Sequence, residues 1–350
     1  MLASVLITSL SLSAGLLAAA VSDRDAPELL KRFEFAETHM GSTFKIVLYS
    51  TDEDAARSAS RAAFARIAAL DAALSDYDPE SELSRLCRQA GGPAVPASQD
   101  LFEVLDLAKQ FHERTGGVFD VTIAPVGRLW RRARRDRRPP DPEKLQSALS
   151  LVGASHLLLD RQAQTVRLEK PGMRLDLGGI AKGYAAQAAA DVLRSHGISR
   201  HLVGGAGDLV VGDPPPEAKG WTIGVAGLEP SETPPEIYLL LANAAISTAG
   251  DAERYVIING RRYSHIINPV TGIAVEDRAS VTVVAADGAT ADALETAVYL
   301  LGPEKGLELV ERTPGAAALY VRATPEGIKT FESSRFRLLP RTGPKPNPVN

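Results

Sequence analysis

The stretch that decides the fold is Leu175-Asp176-Leu177-Gly178-Gly179-Ile180-Ala181-Lys182-Gly183-Tyr184. Alternating apolar residues at 173–177 predict a strand, the glycine pair predicts a tight turn, and a helix follows. Four residues at i,i+4 spacing and a glycine stop indicate that helix: Ile180, Tyr184, Ala188, Val192 and then Gly197. Backbone N–H groups at the start of such a helix suit an anion. On local pattern alone, an ordinary strand-to-helix connection explains the stretch equally well.

The composition and net charge of the chain exclude several kinds of metal site and give no indication of nucleic-acid binding. The chain has 350 residues and a net charge of -4, so nothing draws it as a whole toward nucleic acid. Six histidines and a single cysteine, Cys87, exclude a cysteine-rich zinc site, an iron–sulfur cluster and an internal disulfide. Cys87 is therefore interpreted as structural. A bound metal would have to be a hard cation held by oxygen atoms.

The N-terminal segment 2–20 is uncharged, rich in Leu, Ala and Ser, and ends in small residues. This pattern predicts a signal peptide and export to the periplasm, with association with the inner membrane as an option. No Lys or Arg precedes the apolar run, which departs from the usual pattern, so a retained anchor or a buried helix stays open. At the other end, 340–350 is Pro-rich and predicted to be disordered.

Between these ends, helical and β-rich segments mix without strict alternation. Helical spacing occurs at 52–74, 100–115 and 290–301, the last ended by Gly302-Pro303, while 316–321 and 327–331 predict a closing hairpin. The sequence therefore predicts an α+β fold, a single large unit of mixed or antiparallel sheets with packed helices. It lacks a dinucleotide-binding fingerprint, because Gly205-Ala206-Gly207 would need a third glycine where Val210 stands.

An arginine-rich run at 131–138 carries six arginines and leads into Pro139-Pro140. We interpret it as a basic, loop-like insert. A solvated surface segment is one explanation, and peripheral contact with anionic lipid or a protein partner is the other.

Several side chains could carry chemistry. Asp292 and Thr296 lie at i,i+4 near a helix start and supply hard oxygen donors that fit Mg²⁺ or Ca²⁺, with Glu295 able to join through water. A carbonyl at a glycine turn such as Gly179 could add a third protein ligand. His265 could hydrogen-bond a phosphate or shuttle a proton, or be a half-buried structural side chain. Tyr77 and Met40 offer a stacking face and a soft apolar contact, or simply cover the core.

Seven ordered segments together resemble the ApbE family of FAD:protein FMN transferases. They are Met-Gly-Ser at 40–42, LSDYDPESE at 74–82, TGGVFDVT at 115–122, DLGGIAKG at 176–183, ISTAGD at 246–251, HIINPVTG at 265–272 and ADALET at 291–296. The resemblance implies an ApbE-type, T-fold-like domain over 27–339. Two departures are small: the family often has alanine where Gly179 stands and asparagine where Cys87 stands.

The resemblance also implies the site residues. An FAD site would be lined by Met40, Tyr77, Val118, Phe119, Asp120, Asp176, Lys182 and Ile266. Mg²⁺, with Ca²⁺ or Mn²⁺ as alternatives, would be held by the Gly179 carbonyl, Asp292 and Thr296. His265 and Asp292 are the candidates for activating an attacking hydroxyl, and the sequence does not choose between them.

The implied reaction moves the FMN part of FAD to a threonine hydroxyl of an acceptor flavoprotein, a subunit of a respiratory or ion-pumping complex, and releases AMP. An Mg²⁺-dependent FAD pyrophosphatase giving free FMN and AMP is the first alternative. The second is an FAD-binding periplasmic protein without turnover, against which the intact Asp292 and Thr296 pair argues.

Overall fold

The computed structural model describes residues 29–228, 235–250 and 254–343. The strands are β1 (Lys31–His39), β2 (Ser42–Ser50), β3 (Val95–Pro96), β4 (Leu157–Asp160), β5 (Thr165–Leu168), β6 (His201–Gly205), β7 (Asp208–Val211), β8 (Trp221–Val225), β9 (Ile237–Leu241), β10 (Ala244–Gly250), β11 (Tyr255–Ile258), β12 (Arg261–Ser264), β13 (Ala279–Ala285), β14 (Ala317–Thr324), β15 (Gly327–Glu332) and β16 (Arg341–Thr342). The α-helices are α1 (Glu53–Leu74), α2 (Glu82–Arg88), α3 (Gln99–Arg114), α4 (Ala124–Asp136), α5 (Pro142–Leu149), α6 (Ala181–Ser195), α7 (Gly288–Arg312) and α8 (Ser334–Leu338).

Eight strands form the main sheet in the order β1-β2-β6-β7-β10-β13-β14-β15. Every neighbouring pair is antiparallel. The predicted α+β fold with antiparallel sheets is confirmed, and so is the closing hairpin, which is β14 and β15.

Alternation along the strands divides the core into two layers. On β2, Ile46 and Leu48 pack into the cluster formed with α1, α6 and α7, whereas Val47 faces the other side. That other side is covered by the small sheet β16-β9-β8, through residues such as Trp221 and Leu239. Both faces of the main sheet are covered, and its central strands accordingly carry apolar side chains on both sides. Burial of each such side chain contributes roughly 1.5–3 kcal/mol to the free energy of unfolding.

A third apolar cluster joins α4 to the β11–β12 hairpin. Trp130 and Val126 of α4 pack with Ile258, and the indole N–H of Trp130 donates to the Gly272 carbonyl at 2.8 Å. The arginine-rich run is therefore not a loop, as the sequence analysis expected, but largely the second half of α4. Helical spacing of Trp130 and Ala133 on the buried face holds it there, and Pro125 in the first turn favours its start.

The segment 173–177 is not a strand, which corrects the sequence analysis. Its alternating burial is present, since Met173, Leu175 and Leu177 are all buried. Its backbone, however, joins no sheet: the Leu175 N–H donates to the Cys87 thiol at 3.3 Å and the Asp176 N–H to the Val121 carbonyl at 2.8 Å. The period of two reflects burial of an extended chain, which can occur without ladder pairing.

Helix α6 begins where predicted, but its most buried face is made of small residues rather than the larger ones at i,i+4. Ala181, Ala185 and Ala189 are buried, and Gly183 lies against Gly288 of α7. A Cβ on Gly183 would stand 2.1 Å from the Gly288 carbonyl oxygen and 2.8 Å from the Cβ of Asp292. This close crossing brings the first turn of α7 to the N-terminus of α6.

The remaining predictions concern the helix stop at Gly302 and the two ends of the chain. Helix α7 is interrupted at Gly302, which has φ 78°, so the predicted stop is real, although a second helical segment follows it. The prediction of disorder from 340 onward is wrong for Arg341–Thr342, which pairs with β9 as β16. Residues 344–350 and the predicted signal segment lie outside the described residues. No helix in the described ranges is long and apolar enough to cross a membrane.

Replacement of Gly183 by Ala tests the helix crossing. In an ordinary helix this change would stabilise the protein by up to about 1 kcal/mol through helix propensity. Here the clash with the Gly288 carbonyl should dominate, and we expect a loss of about 1–3 kcal/mol in the free energy of unfolding, measured by urea denaturation. Gly227→Ala is the control, since its Cβ would meet nothing within 4 Å. Equal effects of the two changes would contradict the proposed crossing.

Candidate active site

One cleft of about 1670 Å³ collects every residue that the sequence analysis placed in the site. These residues are Met40, Tyr77, Val118, Phe119, Asp120, Asp176, Gly179, Lys182, His265, Ile266, Asp292 and Thr296. They come from segments that are far apart in the sequence, and the antiparallel sheet and the crossing of α6 and α7 bring them together.

The three predicted metal ligands converge at the deep end of the cleft. Asp292 and Thr296 lie one turn apart on α7, and a methyl group on Gly179 would stand only 3.2 Å from the Thr296 hydroxyl oxygen. The turn therefore approaches α7 closely at Gly179, where a Cβ would require the Thr296 side chain to shift by a few tenths of an ångström.

A cluster of buried carboxyl groups surrounds this point. Asp292 is 1% exposed, Asp208 at the start of β7 is 4% exposed and Glu295 is 6% exposed. The cation facing them is Lys182, whose ammonium lies 3.5 Å from Asp208 Oδ2 and donates to the Gly178 carbonyl at 2.9 Å. Three acidic groups thus share one ammonium in a region removed from water.

Burial and these charges shift the pKa of Asp292, Glu295 and Lys182. Burial, with the nearby charge of Asp208, raises the pKa of Asp292 to about 7. Burial and the charge of Asp292 raise the pKa of Glu295 well above its usual value, and Glu295 Oε2 has no hydrogen-bond partner within the described ranges. Burial alone would lower the pKa of Lys182, but Asp208, Asp292 and Glu295 raise it, so the ammonium stays charged.

The donor set fits a hard divalent cation. Buried carboxylates in excess of positive charge, one of them with an unpaired oxygen, are stabilised by an added cation. Across the described ranges no three His, Cys, Asp or Glu side chains are arranged to hold a metal ion by themselves. A cation here would need the Thr296 hydroxyl, a backbone carbonyl of the glycine turn or oxygens of a bound ligand in addition to Asp292.

A carboxylate of the protein itself, that of Asp292, lies at the N-terminus of α6. The Gly183 N–H donates to Asp292 Oδ2 at 3.0 Å, so a carboxylate of α7 occupies the position that the sequence analysis assigned to a ligand. Ile180, at the N-cap, supplies no side-chain acceptor, which leaves this role to Asp292. The bond also fixes the orientation of the Asp292 carboxylate.

His265 follows β12 directly and lines the same cleft. Its Nδ1 is buried and has no hydrogen-bond partner among the residues that the structure describes. Burial, with the charges of Arg254 and Arg134, lowers the pKa of His265 to about 4. The imidazole is therefore neutral at pH 7 and can accept a proton.

The mouth of the cleft is organised by Arg131 of α4. Its Nη1 donates to Asp76 Oδ2 at 2.7 Å, its Nη2 lies 3.8 Å from Asp176 Oδ2, and its guanidinium lies 5.0 Å from the centre of the Tyr77 ring. Tyr77 is 79% exposed, so most of its surface is free. Asp176 also accepts the Gly178 N–H at 2.9 Å, which ties the mouth to the glycine turn.

Of the remaining residues predicted to line an FAD site, four are apolar and Asp120 is charged. Phe119 is buried, Met40 and Val118 are half-buried, and Ile266 is 8% exposed. Asp120 borders the cleft, but its carboxylate accepts hydrogen bonds from both the N–H and the hydroxyl of Thr122, at 2.8 and 2.6 Å, and from the Ala154 N–H at 3.2 Å. Asp120 thus holds the wall in place.

Asp208 and Arg131 are the site residues that sequence reasoning missed. Asp208 lies beyond a two-residue hairpin turn, Ala206-Gly207, both with positive φ, and its Oδ1 accepts the Ser247 hydroxyl at 2.6 Å. The Gly-Ala-Gly-Asp pattern was a usable signal for that turn. Arg131 had no signal of its own within a run of six arginines.

Comparison with known proteins gives the relationship. A family model described as the ApbE family matches residues 40–320. The chain belongs to the ApbE family. It is 31% identical over 304 residues to a protein of Klebsiella pneumoniae named FAD:protein FMN transferase, covering 85% of this chain and 86% of that one. A protein of Haemophilus influenzae with the same name is 33% identical over 281 residues, covering 78% and 81%.

Solved structures of the ApbE family share the fold. The apo flavinyl transferase ApbE of Pseudomonas stutzeri has a TM-score of 0.79 and 30% identity, covering 90% of this chain and 98% of that one. The ApbE protein of Thermotoga maritima has a TM-score of 0.80 and 29% identity, covering 89% and 100%. The chain is therefore an enzyme of a flavin transferase family, and the expected relationship is confirmed.

Asp292→Asn tests the electrostatics of the deep end. A carboxyl group whose pKa is raised by folding gives its full stability at pH values below the unfolded pKa, and this stability is lost as the pH rises through about 7. We therefore expect the Tm of the metal-free protein to fall between pH 5.5 and pH 8. Asp292→Asn should reduce this fall and raise the Tm at pH 8, in thermal scans in the presence of a chelator. A Tm at pH 8 below that of the wild type would contradict the charge imbalance.

Proposed function

We propose that this chain transfers the FMN part of FAD to a threonine hydroxyl of an acceptor protein and releases AMP, with Mg²⁺ as the required cation and Mn²⁺ or Ca²⁺ as weaker substitutes. One observation carries the proposal: a cleft that can hold a dinucleotide ends at a buried, charge-imbalanced carboxylate cluster beside a glycine turn. The names of the relatives in the ApbE family support the same activity.

Asp292, Thr296 and the Gly179 carbonyl are the groups that would hold the cation. A cation bound there would neutralise the diphosphate of FAD and make AMP a better leaving group. Lys182 adds a fixed positive charge at the Gly178 carbonyl beside the turn. Most of the work of these residues is positioning and electrostatic stabilisation.

His265 is the better candidate for activating the hydroxyl. Asp292 Oδ2 already accepts the Gly183 N–H, whereas His265 Nδ1 has no partner in the described part of the chain. In the proposed step the threonine oxygen bonds to the phosphorus next to riboflavin, its proton passes to His265, and the bond from that phosphorus to the oxygen of AMP breaks. The negative charge of a bound diphosphate would offset the positive charges of Arg254 and Arg134. This would raise the pKa of His265 and make it a stronger base.

A pair of changes at Thr296 tests the cation site. Thr296→Ser keeps the hydroxyl and should retain FMN transfer within about tenfold, whereas Thr296→Val removes the oxygen and should lower transfer by about 100-fold or more. Transfer is measured as flavin covalently bound to a threonine-containing acceptor by mass spectrometry with FAD and Mg²⁺. Equal activity of the two variants would count against Thr296 as a ligand.

His265→Asn separates proton transfer from binding. Loss of a general base should lower the rate of transfer by about 10²–10⁴-fold, while FAD affinity, followed by quenching of flavin fluorescence, changes little. A variant that binds and transfers like the wild type would remove His265 from the mechanism and leave Asp292 as the candidate.

The same assay distinguishes the alternatives. Free FMN and AMP without labelled acceptor would show a pyrophosphatase, in which water takes the place of the threonine. FAD binding without any AMP would show a binding protein without turnover.

We further propose that the protein is exported, with segment 2–20 as the signal peptide, and that it acts on a subunit of a membrane-bound respiratory or ion-pumping complex. Arg128, Arg137 and Arg138 are exposed, have no ion pair within the described part of the chain, and offer a surface for anionic lipid. N-terminal sequencing of protein purified from the periplasm would test the export.

A further inference from the structure

Within the described residues, Arg131 is the one arginine of the 131–138 run that contacts two acidic residues of the cleft, Asp76 and Asp176. It projects from α4 and lies between Asp76, in the loop that joins α1 to α2, and Asp176, which precedes the glycine turn. The Asp76 side chain is 14% exposed, that of Arg131 26% and that of Asp176 28%. The three groups are thus partly removed from water, where an ion pair is stronger than on an open surface.

The contacts of Arg131 have a geometric consequence for Tyr77. The guanidinium lies over the Tyr77 ring at 5.0 Å, and the neighbouring residue, Asp76, accepts its hydrogen bond. Tyr77 is 79% exposed even with this contact in place, so the guanidinium of Arg131 restrains a ring that is mostly open to solvent. One face of the ring is covered by the guanidinium, and the rest is open to a flat ligand ring.

We propose that Arg131 is a positioning residue for FAD: it joins the Tyr77 loop to Asp176 across the mouth of the cleft and thereby sets the affinity for the dinucleotide, without taking part in group transfer. This inference rests on the proposed function. It assigns a role to a residue from a segment that is not part of the family pattern quoted above.

Electrostatics support the same role. Without Arg131, the carboxylates of Asp76 and Asp176 would face each other beside the path of a negatively charged diphosphate. Their mutual repulsion is visible in the raised pKa of Asp76, for which burial is the first cause and Asp176 the second, while Arg131 opposes both. Removing the guanidinium should therefore both loosen the loop and repel the ligand.

The test is Arg131→Gln, with Arg131→Lys as the conservative variant and Arg132→Gln as the matched control. Arg132 lies next along α4 with its side chain 72% exposed, and it pairs with Asp136 at 3.3 Å, away from the cleft. For Arg131→Gln we expect the Kd and KM for FAD to rise about tenfold or more, with kcat within about twofold. Arg131→Lys keeps the charge but not the planar fork, and should fall between Arg131→Gln and the wild type. Arg132→Gln should match the wild type.

A double-mutant cycle identifies the contact. In an Asp76→Asn background, Arg131→Gln should raise the Kd for FAD by a smaller factor than in the wild type, because one partner is already gone. The inference is overturned if Arg131→Gln keeps the Kd and KM within about twofold of the wild type, if kcat falls while KM does not change, or if Arg132→Gln has the same effect.

Direct binding keeps this test separate from that of the proposed function. The Kd is measured by flavin fluorescence without an acceptor, so a wild-type protein that binds FAD but transfers nothing would refute the transfer and leave the role of Arg131 to be decided by the Kd values. If Arg131→Gln does not fold, the comparison of Arg131→Lys with Arg132→Gln decides, and equal Kd values for those two would overturn the inference.

Discussion

The buried carboxyl cluster of Asp208, Asp292 and Glu295 around the single ammonium of Lys182 is the constraint on which the rest of the site depends. Burial of unbalanced negative charge is unfavourable, and it raises the pKa of both Asp292 and Glu295. A bound cation would reduce this cost, because it would pair with the same carboxyl groups. The stability of the empty protein is thus lower than it would be with neutral residues at these positions.

The surrounding fold keeps the cluster in place despite this repulsion. The close contact of Gly183 with Gly288 brings α7 against the start of α6, and the Gly183 N–H then donates to Asp292. On the opposite side, a two-residue hairpin turn presents Asp208, held by the Ser247 hydroxyl. Small residues and backbone donors, rather than large side chains, therefore determine the distances between the charged groups.

The two ends of the cleft have different physical characters. The deep end is buried and has excess negative charge, which suits a cation, and a bound cation could in turn hold a diphosphate. The mouth is partly exposed, with the carboxylates of Asp76 and Asp176 balanced by Arg131 and with the Tyr77 ring open to ligand. His265 is neutral and lines the same cleft, and no described residue pairs with its Nδ1. A dinucleotide with a charged centre and flat rings at both ends matches this arrangement.

The sequence by itself determined the fold class, the helix after the glycine pair, the closing hairpin and the i,i+4 pair of Asp292 and Thr296, because these depend on local periodicity and turn residues. It was wrong about the strand at 173–177 and the arginine-rich loop, since burial and charge patterns do not reveal the backbone partners. Only the tertiary structure decided that Asp292 caps α6, that Asp208 completes the acidic cluster and that Arg131 joins Asp76 to Asp176. Each of these is a contact between segments distant in sequence, and such contacts depend on how helices and strands pack, which local patterns do not encode.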